Sequence, residues 1–269
     1  MTYKTPIALI AAACFAAGLP AVAQAAAPTD AATGRALVKR YADAVVGIEL
    51  VVTLKIKMGD REMPPREQRI EVNGTVISAS GLTVTTLADV DPQATLDAMR
   101  AGAGGARGAE IVGSDFKEVK LRLADGKEVP ARFVLKDADL DLAFMAPATD
   151  EPGKTYAFVN LAEAAEAGVL DELFYVARAP KTLQRVPLVR RTEVLGVVEK
   201  PRRFYLMTDQ SPGTPIFSPA GKVLGITLQH FAAGRRTGLV VLPAADIADM
   251  AKQAATAQAA ALAEGAAKP

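Results

Sequence analysis

Few residues in this sequence belong to the types that carry hydrolytic or metal chemistry. The only histidine is His230, and the only cysteine is Cys14, which lies in an apolar N-terminal run. One imidazole without a thiolate cannot supply the usual zinc ligands, and a mature chain without cysteine has no thiol nucleophile. Asp137, Asp139 and Asp141 alternate, but the bidentate glutamate of an EF-hand loop does not follow them. We therefore expect neither a metal nor a cofactor.

The N-terminus has the features of a secretory signal peptide. Lys4 supplies the positive start, Ile7–Leu19 is apolar, and Ala23-Gln24-Ala25 fits the small-x-small cleavage pattern. The apolar run is too short to span a bilayer, and no good lipobox precedes Cys14. We predict that residues 1–25 are removed, that the mature protein is exported to a bacterial periplasm or secreted, and that it has no membrane span.

The charge balance argues against a nucleic-acid partner. The chain has 31 Lys+Arg and 30 Asp+Glu, and removal of Lys4 with the leader leaves a neutral mature chain. A neutral protein has no long-range field that attracts nucleic acid or anionic lipid. The short basic clusters, Arg190-Arg191, Lys200–Arg203 and Arg235-Arg236, are typical of solvated loops and strand ends.

The elements that would position a site are mainly β-strands. Residues 26–35 are predicted to be a linker in which a short amphipathic helix, Gly34–Ala42, begins. A first block of β-branched, alternating segments then spans residues 36–150, with turn signals at Ser80-Gly81 and Asp125-Gly126. Its predicted strands are Val45–Ile56, Gln68–Ser78, Leu82–Thr86, Val119–Leu123, Val129–Leu135 and Leu142–Ala146. Two interruptions are predicted to be loops, Met58–Arg66 and Ala101–Gly108. The second loop follows a helix-like segment, Ala94–Met99. It is rich in glycine but lacks the Gly-Lys-Ser/Thr of a phosphate-binding loop.

A second block of strands spans residues 151–252 and ends in a helix that follows Pro243. Its predicted strands are Leu173–Ala177, Arg185–Val198, Phe204–Thr208, Val223–Gln229 and Gly238–Leu242. Residues 253–269 are rich in alanine and are predicted to be a fraying helix or a tail. Many short strands in two successive blocks, with a helix mainly at each end, predict an all-β protein built from two β-barrels in tandem.

Several short strings resemble the protease domain of the HtrA/Deg serine proteases, in the same order along the chain. They are Tyr41–Leu50, Gly74–Thr86, Leu123–Arg132, Lys136–Ala143, Thr208-Asp209, Gly221–Ile226 and Thr237–Pro243. The resemblance implies a chymotrypsin-like double β-barrel of six strands each, with short N- and C-terminal helices. Proteins of that family usually carry a PDZ domain after the protease domain, and because few residues follow the predicted terminal helix, we expect none here.

The resemblance also assigns the three roles of a catalytic triad to positions in this chain. The acid position falls on Asp141, the base position on Ala88 and the nucleophile position on Pro212. Alanine cannot accept a proton, and proline has neither a hydroxyl nor the backbone N–H that would stabilise the oxyanion. Without a histidine to orient, Asp141 is expected to be a cap or turn residue at a strand start, and Asp89, beside Ala88, a surface turn residue. Gln210 stands where the family has glycine and restricts the loop backbone.

Three functions remain open. The first is a pseudoprotease that binds an extended peptide or a protein partner in the cleft between the barrels without cutting it. The second is an unconventional serine endopeptidase that uses Ser211, with His230 or Asp89 assisting; the resemblance places His230 at the end of a cleft-lining strand, on the wrong wall for a base. The third is a structural or assembly protein of the cell envelope.

Overall fold

The computed structural model describes residues 30–100, 109–232 and 235–266. The predicted signal peptide and the predicted Ala101–Gly108 loop lie outside the described residues.

The N-terminal half is a closed barrel of six antiparallel strands. Listed in the order in which they pair, these are β1 (Val45–Met58), β3 (Arg66–Val76), β4 (Thr83–Thr86), β7 (Leu142–Pro147), β6 (Glu128–Asp137) and β5 (Ala109–Arg122), and β5 pairs back onto β1. A short strand, β2 (Arg61–Glu62), pairs with the end of β1. Val46, Ile48 and Leu50 of β1 alternate into the barrel interior, where they pack with Leu121 and Met145. Period-two alternation thus builds one half of the core.

The C-terminal half is a second closed barrel of six antiparallel strands. Listed in the order in which they pair, these are β10 (Phe204–Met207), β13 (Arg235–Pro243), β12 (Val223–Ala232), β11 (Pro215–Phe217), β8 (Glu172–Arg178) and β9 (Pro187–Val198), and β9 pairs back onto β10. Its interior holds Tyr175, Tyr205, Leu224 and Val241.

Helices lie at both ends of the chain and in one connection of the first barrel. They are α1 (Asp30–Tyr41), α2 (Leu87–Val90), α3 (Pro92–Arg100) and α4 (Ala244–Ala266). The N-terminal helix packs on the C-terminal barrel, where Tyr41 stacks on Phe217 with 4.2 Å between ring centroids. The C-terminal helix reaches the N-terminal barrel, where Gln258 bonds to Ser80. Within the described residues no helix is both long and apolar enough to cross a membrane.

The predicted fold, a chymotrypsin-like double barrel with terminal helices, is confirmed, and the errors concern element boundaries. Strand β5 begins at Ala109 instead of Val119, because its first half, which mixes polar and apolar residues, pairs with the second half of β1. The predicted loop Met58–Arg66 contains the short strand β2, and Pro215–Phe217 forms β11 although proline weakens a strand signal. Helix α4 continues to Ala266 through the segment predicted to fray, since Ala254 is buried.

Candidate functional site

One wall of the cleft between the barrels is formed where β4 ends and β7 begins. Thr86 and Leu142 are paired across these two strands, so the chain that leaves β4 lies beside the chain that enters β7. Helix α2 begins directly after Thr86. As a result the backbone N–H of Ala88 donates a 2.7 Å hydrogen bond to Oδ1 of Asp141. The structure thus brings together the residues assigned to the base and acid positions.

Asp141 is a buried carboxyl group that joins the two barrels. It is 7% exposed and has a φ of 56°, a left-handed conformation that aspartate tolerates better than most residues. Its Oδ2 accepts a hydrogen bond from the hydroxyl of Thr86 and a 3.0 Å bond from the backbone N–H of Gln229, which lies on β12 of the second barrel. Asp141 is therefore a turn residue before a strand, as expected, but it also forms a contact between the barrels that the sequence did not indicate.

The carboxyl groups on this wall are less acidic than usual. Burial raises the pKa of Asp141 to about 6, against the opposing effect of its three hydrogen-bond donors, and neighbouring Asp89 adds to the rise. Burial also raises the pKa of Asp89, while the guanidinium of Arg236, 3.7 Å away, lowers it. Asp89 lies within α2 and its side chain is 23% exposed, so it is not the surface turn residue that was expected.

The opposite wall is the segment Gln210–Pro215, which touches the first barrel directly. Gly213 has a φ of 71°, its N–H donates to the carbonyl of Thr227 at 2.8 Å, and its own carbonyl accepts a 2.8 Å bond from the hydroxyl of Thr75. A Cβ atom at this position would lie 2.1 Å from the carbonyl oxygen of Asn73. Only glycine fits this approach of the two backbones.

Pro212 precedes Gly213 at the position assigned to the nucleophile. Its ring carries no hydroxyl, and its nitrogen carries no hydrogen for an oxyanion. On the facing wall, the side chain of Ala88 is a methyl group, and Asp141 accepts hydrogen bonds from Thr86, from the Ala88 backbone and from the Gln229 backbone instead of from an imidazole. The arrangement holds an acid in place but presents neither a base nor a nucleophile beside it.

Ser211 and His230, the two alternative catalytic residues, are not hydrogen-bonded to each other. Nδ1 of His230 lies 2.7 Å from the hydroxyl of Thr237, and its ring meets the edge of Phe204 at 5.3 Å between centroids. The carbonyl of Ser211 accepts a 2.6 Å bond from the hydroxyl of Thr214. His230 thus contacts β10 and β13, whereas Ser211 lines a groove towards β3 and β8.

Two glutamine side chains occupy the space between the 210–215 segment and β13. Nε2 of Gln210 donates a 2.7 Å bond to the carbonyl of Leu239, and Nε2 of Gln229 donates to the adjacent carbonyl of Gly238. Oε1 of Gln210 is buried and has no hydrogen-bond partner within the part of the chain that the structure describes. The sequence indicated that Gln210 restricts the loop backbone but gave no sign of its bond to β13.

A groove of about 370 Å³ lies on the Ser211 side of the cleft, and both barrels line it. Its walls include Val72, Asn73, Tyr175, Arg178, Pro180, Arg185, Leu188 and Arg190. Arg185 forms ion pairs of 2.7 Å with both Glu49 and Glu71, and Arg190 forms one of 2.8 Å with Asp209. The groove is therefore lined by both apolar and charged side chains, and the charges of Arg185 and Arg190 are balanced by nearby carboxylates.

Arg178 and Asn73, which sequence reasoning missed, connect this groove to the barrel interface. The side-chain amide of Asn73 exchanges two hydrogen bonds with the backbone of Arg178, at 3.1 and 3.3 Å. The guanidinium of Arg178, only 8% exposed, donates to the carbonyls of Ala42, Val45 and Arg185. No spacing in the sequence could reveal these contacts, because their partners lie far apart along the chain.

Among the described residues, no group of three or more histidine, cysteine, aspartate or glutamate side chains is arranged to hold a metal ion.

Comparison with models of protein families identifies the family of this chain. The family model for the trypsin-like peptidase domain matches residues 72–226, a segment that includes Ala88, Asp141 and Pro212. The chain belongs to the family of trypsin-like peptidase domains.

The chain is also similar to solved structures of other proteins. A crystal structure of the MamO protease domain from Magnetospirillum magneticum is similar, with 16% sequence identity and a TM-score of 0.48, over 78% of this chain and 97% of that chain. No curated protein matches the sequence.

Proposed function

We propose that this protein is an exported pseudoprotease that binds an extended polypeptide in the cleft between its barrels without cleaving it. The observation that carries the proposal is Pro212 at the nucleophile position. The loop around it keeps the two barrels in contact through Gly213, so the fold is retained while the reactive hydroxyl and one oxyanion donor are missing. Export rests on the signal-peptide features of residues 1–25.

Peptide hydrolysis by this fold needs a base as well as a nucleophile. Ala88 offers none, and Asp89, the nearest carboxyl group in α2, faces Arg236. Loss of the base or the nucleophile alone lowers kcat of a serine protease by about 10⁶-fold. Loss of both costs about as much as loss of one, and the residual rate, about 10³–10⁴-fold above that in water, comes from substrate binding and the oxyanion hole. Pro212 removes one donor of that oxyanion hole as well, which supports binding rather than turnover.

Peptide binding needs only an open strand edge and side-chain pockets, and the cleft offers both. Within the described residues, Gln229–Ala232 of β12 pair with β13 on one side and with no strand on the other. The backbone N–H of Gln229 is bonded to Asp141, so the edge that is open to a peptide is His230–Ala232. Such an edge accepts an extended peptide as an added strand. The groove beyond Ser211 adds apolar surface from Val72, Pro180 and Leu188, where side chains of the bound peptide can lodge.

The first experiment asks whether any serine is activated. Mature protein is purified from the exporting host, and N-terminal sequencing should begin at Ala26. A fluorophosphonate probe is then added and adducts are located by peptide mass spectrometry, with an active serine protease labelled alongside. We expect no adduct on wild-type protein or on Ser211→Ala. A stoichiometric adduct on Ser211 that disappears in Ser211→Ala would establish the unconventional endopeptidase instead.

The second experiment asks whether the cleft binds extended peptides. A peptide array identifies ligands, and fluorescence polarisation compares each ligand with a matched peptide N-methylated at alternate backbone amides. Because strand addition uses backbone hydrogen bonds, N-methylation should weaken binding by at least about tenfold. Equal affinity of the two peptides, or no ligand at all, would refute the proposed binding mode and favour a structural or assembly role.

A further inference from the structure

We infer that Asp141 is a pH-dependent tie between the two barrels, and that its ionisation favours release of the β12 edge from the first barrel. The inference rests on the proposed function, because it concerns regulation of the same peptide-binding edge. Asp141 is a buried carboxyl group that has no catalytic role here, because the chain has no histidine for it to orient at this site.

The tie is built from groups of both barrels. Thr86 at the end of β4 and Ala88 in α2 hold the carboxyl group from the first barrel, and the backbone N–H of Gln229 holds it from the second. The same N–H also lies 3.3 Å from the hydroxyl of Thr86. Gln229 begins the stretch of β12 that has no second strand beside it, so the tie acts at the start of the open edge.

The surrounding charges leave the carboxylate without a counter-ion. Asp89 on α2 is the charged neighbour that acts on it most directly, and its own ion pair is with Arg236 of β13. From β6, Lys136 is engaged with Asp91 at 2.7 Å. Other ionisable groups on adjoining elements are Arg132 and Asp137 of β6, Asp139 in the turn, His230 of β12 and Arg235 of β13. Within the described residues no lysine, arginine or histidine forms an ion pair with Asp141.

The sign of the pH effect follows from this environment. Burial raises the pKa of Asp141 to about 6 in the closed structure, whereas a hydrated aspartate has a pKa of about 3.9. The closed form therefore binds the proton more tightly than an opened form, and protonation stabilises closure. As the pH rises from about 4 to 6, the opening equilibrium should increase by up to about 100-fold, and above pH 6 it should level off.

The test measures opening of β12 directly, without any ligand. Amide hydrogen exchange is followed by mass spectrometry in the peptide that covers residues 226–232, at pH 5, 6, 7 and 8, with rates corrected for the intrinsic pH dependence of exchange. We expect the opening equilibrium of wild-type protein to increase about tenfold between pH 5 and pH 7. Peptides from α1 should show no such change.

Matched variants assign the effect to one carboxyl group. Asp141→Asn should abolish the pH dependence, whereas Asp139→Asn, an exposed carboxyl in the same turn, should retain it. Thr86→Val removes a donor that lowers the pKa of Asp141, so the rise should move to higher pH. A flat profile in wild-type protein, or an unchanged profile in Asp141→Asn, would overturn the inference. If Asp141→Asn fails to fold, an unshifted profile in Thr86→Val would overturn it equally.

These readouts separate the tie from the proposed function. Exchange in β12 reports on Asp141 even if no peptide binds. Conversely, peptide binding with the same affinity at pH 5 and pH 7, together with a flat exchange profile, would leave the pseudoprotease proposal intact and remove only the tie.

Discussion

At the scale of single residues, Gly213 lies where the loop of the second barrel meets β3 of the first. Its φ of 71° is unfavourable for other residues, and a Cβ would lie 2.1 Å from the carbonyl oxygen of Asn73 and 2.6 Å from the hydroxyl of Thr85. The first of these contacts is with backbone, which cannot move aside alone. We expect Gly213→Ala to lower the free energy of unfolding by about 3 kcal/mol or more, measured by urea denaturation followed by far-UV circular dichroism.

Gly126→Ala is the matched control for this prediction. Gly126 also has a positive φ, of 83°, but a Cβ there would meet no atom within 4 Å. Its substitution should therefore cost only the backbone strain, about 1 kcal/mol. Equal losses in the two variants would show that the loop can shift away from Asn73, and that the barrels are not held at the distance described here.

The residues of the candidate site divide into those that sequence could locate and those it could not. Ala88, Asp141 and Pro212 each follow a recognisable local string, so their positions could be predicted from spacing along the chain. Gln229 and Arg178 carry no such signal, because their roles depend on a carbonyl or a carboxylate from the other barrel. The expectation that Asp141 acts only as a turn residue was incomplete for this reason.

At the scale of elements, α1 packs on the second barrel through several residues, one of which is the aromatic Tyr41. Tyr41 stacks on Phe217 and donates a 2.7 Å hydrogen bond to the carbonyl of Gly221. Burial raises the pKa of its phenol, so the hydroxyl remains a donor at neutral pH. Tyr41→Phe should lower the free energy of unfolding by about 1 to 2 kcal/mol through the lost hydrogen bond, and Tyr41→Ala by about 3 to 5 kcal/mol through the lost stacking.

The free energy of unfolding of both variants is measured by urea denaturation followed by far-UV circular dichroism, because the chain has no tryptophan to report by fluorescence. The two losses separate the roles of the hydroxyl and of the ring. If Tyr41→Ala were no worse than Tyr41→Phe, the ring would contribute nothing, and α1 would be held by its other buried residues, Leu37 among them.

Elements with a clear run of β-branched and apolar residues could be predicted, and those without such a run could not. β1 and β7 carry nearly continuous burial, so β-branched and apolar residues marked them to within a few positions. The first half of β5 mixes polar and apolar residues around Gly113, and β11 has only three residues, so neither produced a signal. The start of α4 was predicted, and only its alanine-rich part from Ala254 gave no apolar stripe, although that part packs against the first barrel.

At the scale of the whole molecule, the two barrels act as one unit through buried contacts between them. Arg178 at the end of β8 reaches the carbonyls of Ala42 and Val45, which lie at the entrance to the first barrel. Burial lowers the pKa of Arg178, yet an arginine remains charged at any physiological pH. Its nearest carboxylate, that of Asp43, is 3.9 Å away and mostly exposed, so backbone carbonyls rather than an ion pair satisfy this buried cation.

This arrangement predicts that the planar fork of Arg178 matters more than its charge. Arg178→Met leaves buried carbonyls without donors and should lower the free energy of unfolding by about 3 kcal/mol. Arg178→Lys keeps the charge but cannot reach several carbonyls at fixed angles, and should still lose about 2 kcal/mol. Arg190→Met, the control, breaks an exposed ion pair with Asp209 and should lose less than about 1 kcal/mol. Urea denaturation gives the free energy of unfolding of the wild-type protein and of each of the three variants. Full retention of stability in Arg178→Lys would show that the charge alone suffices. A loss of stability in Arg190→Met equal to that in Arg178→Met would show that the contact of Arg178 between the barrels contributes no more than an exposed ion pair.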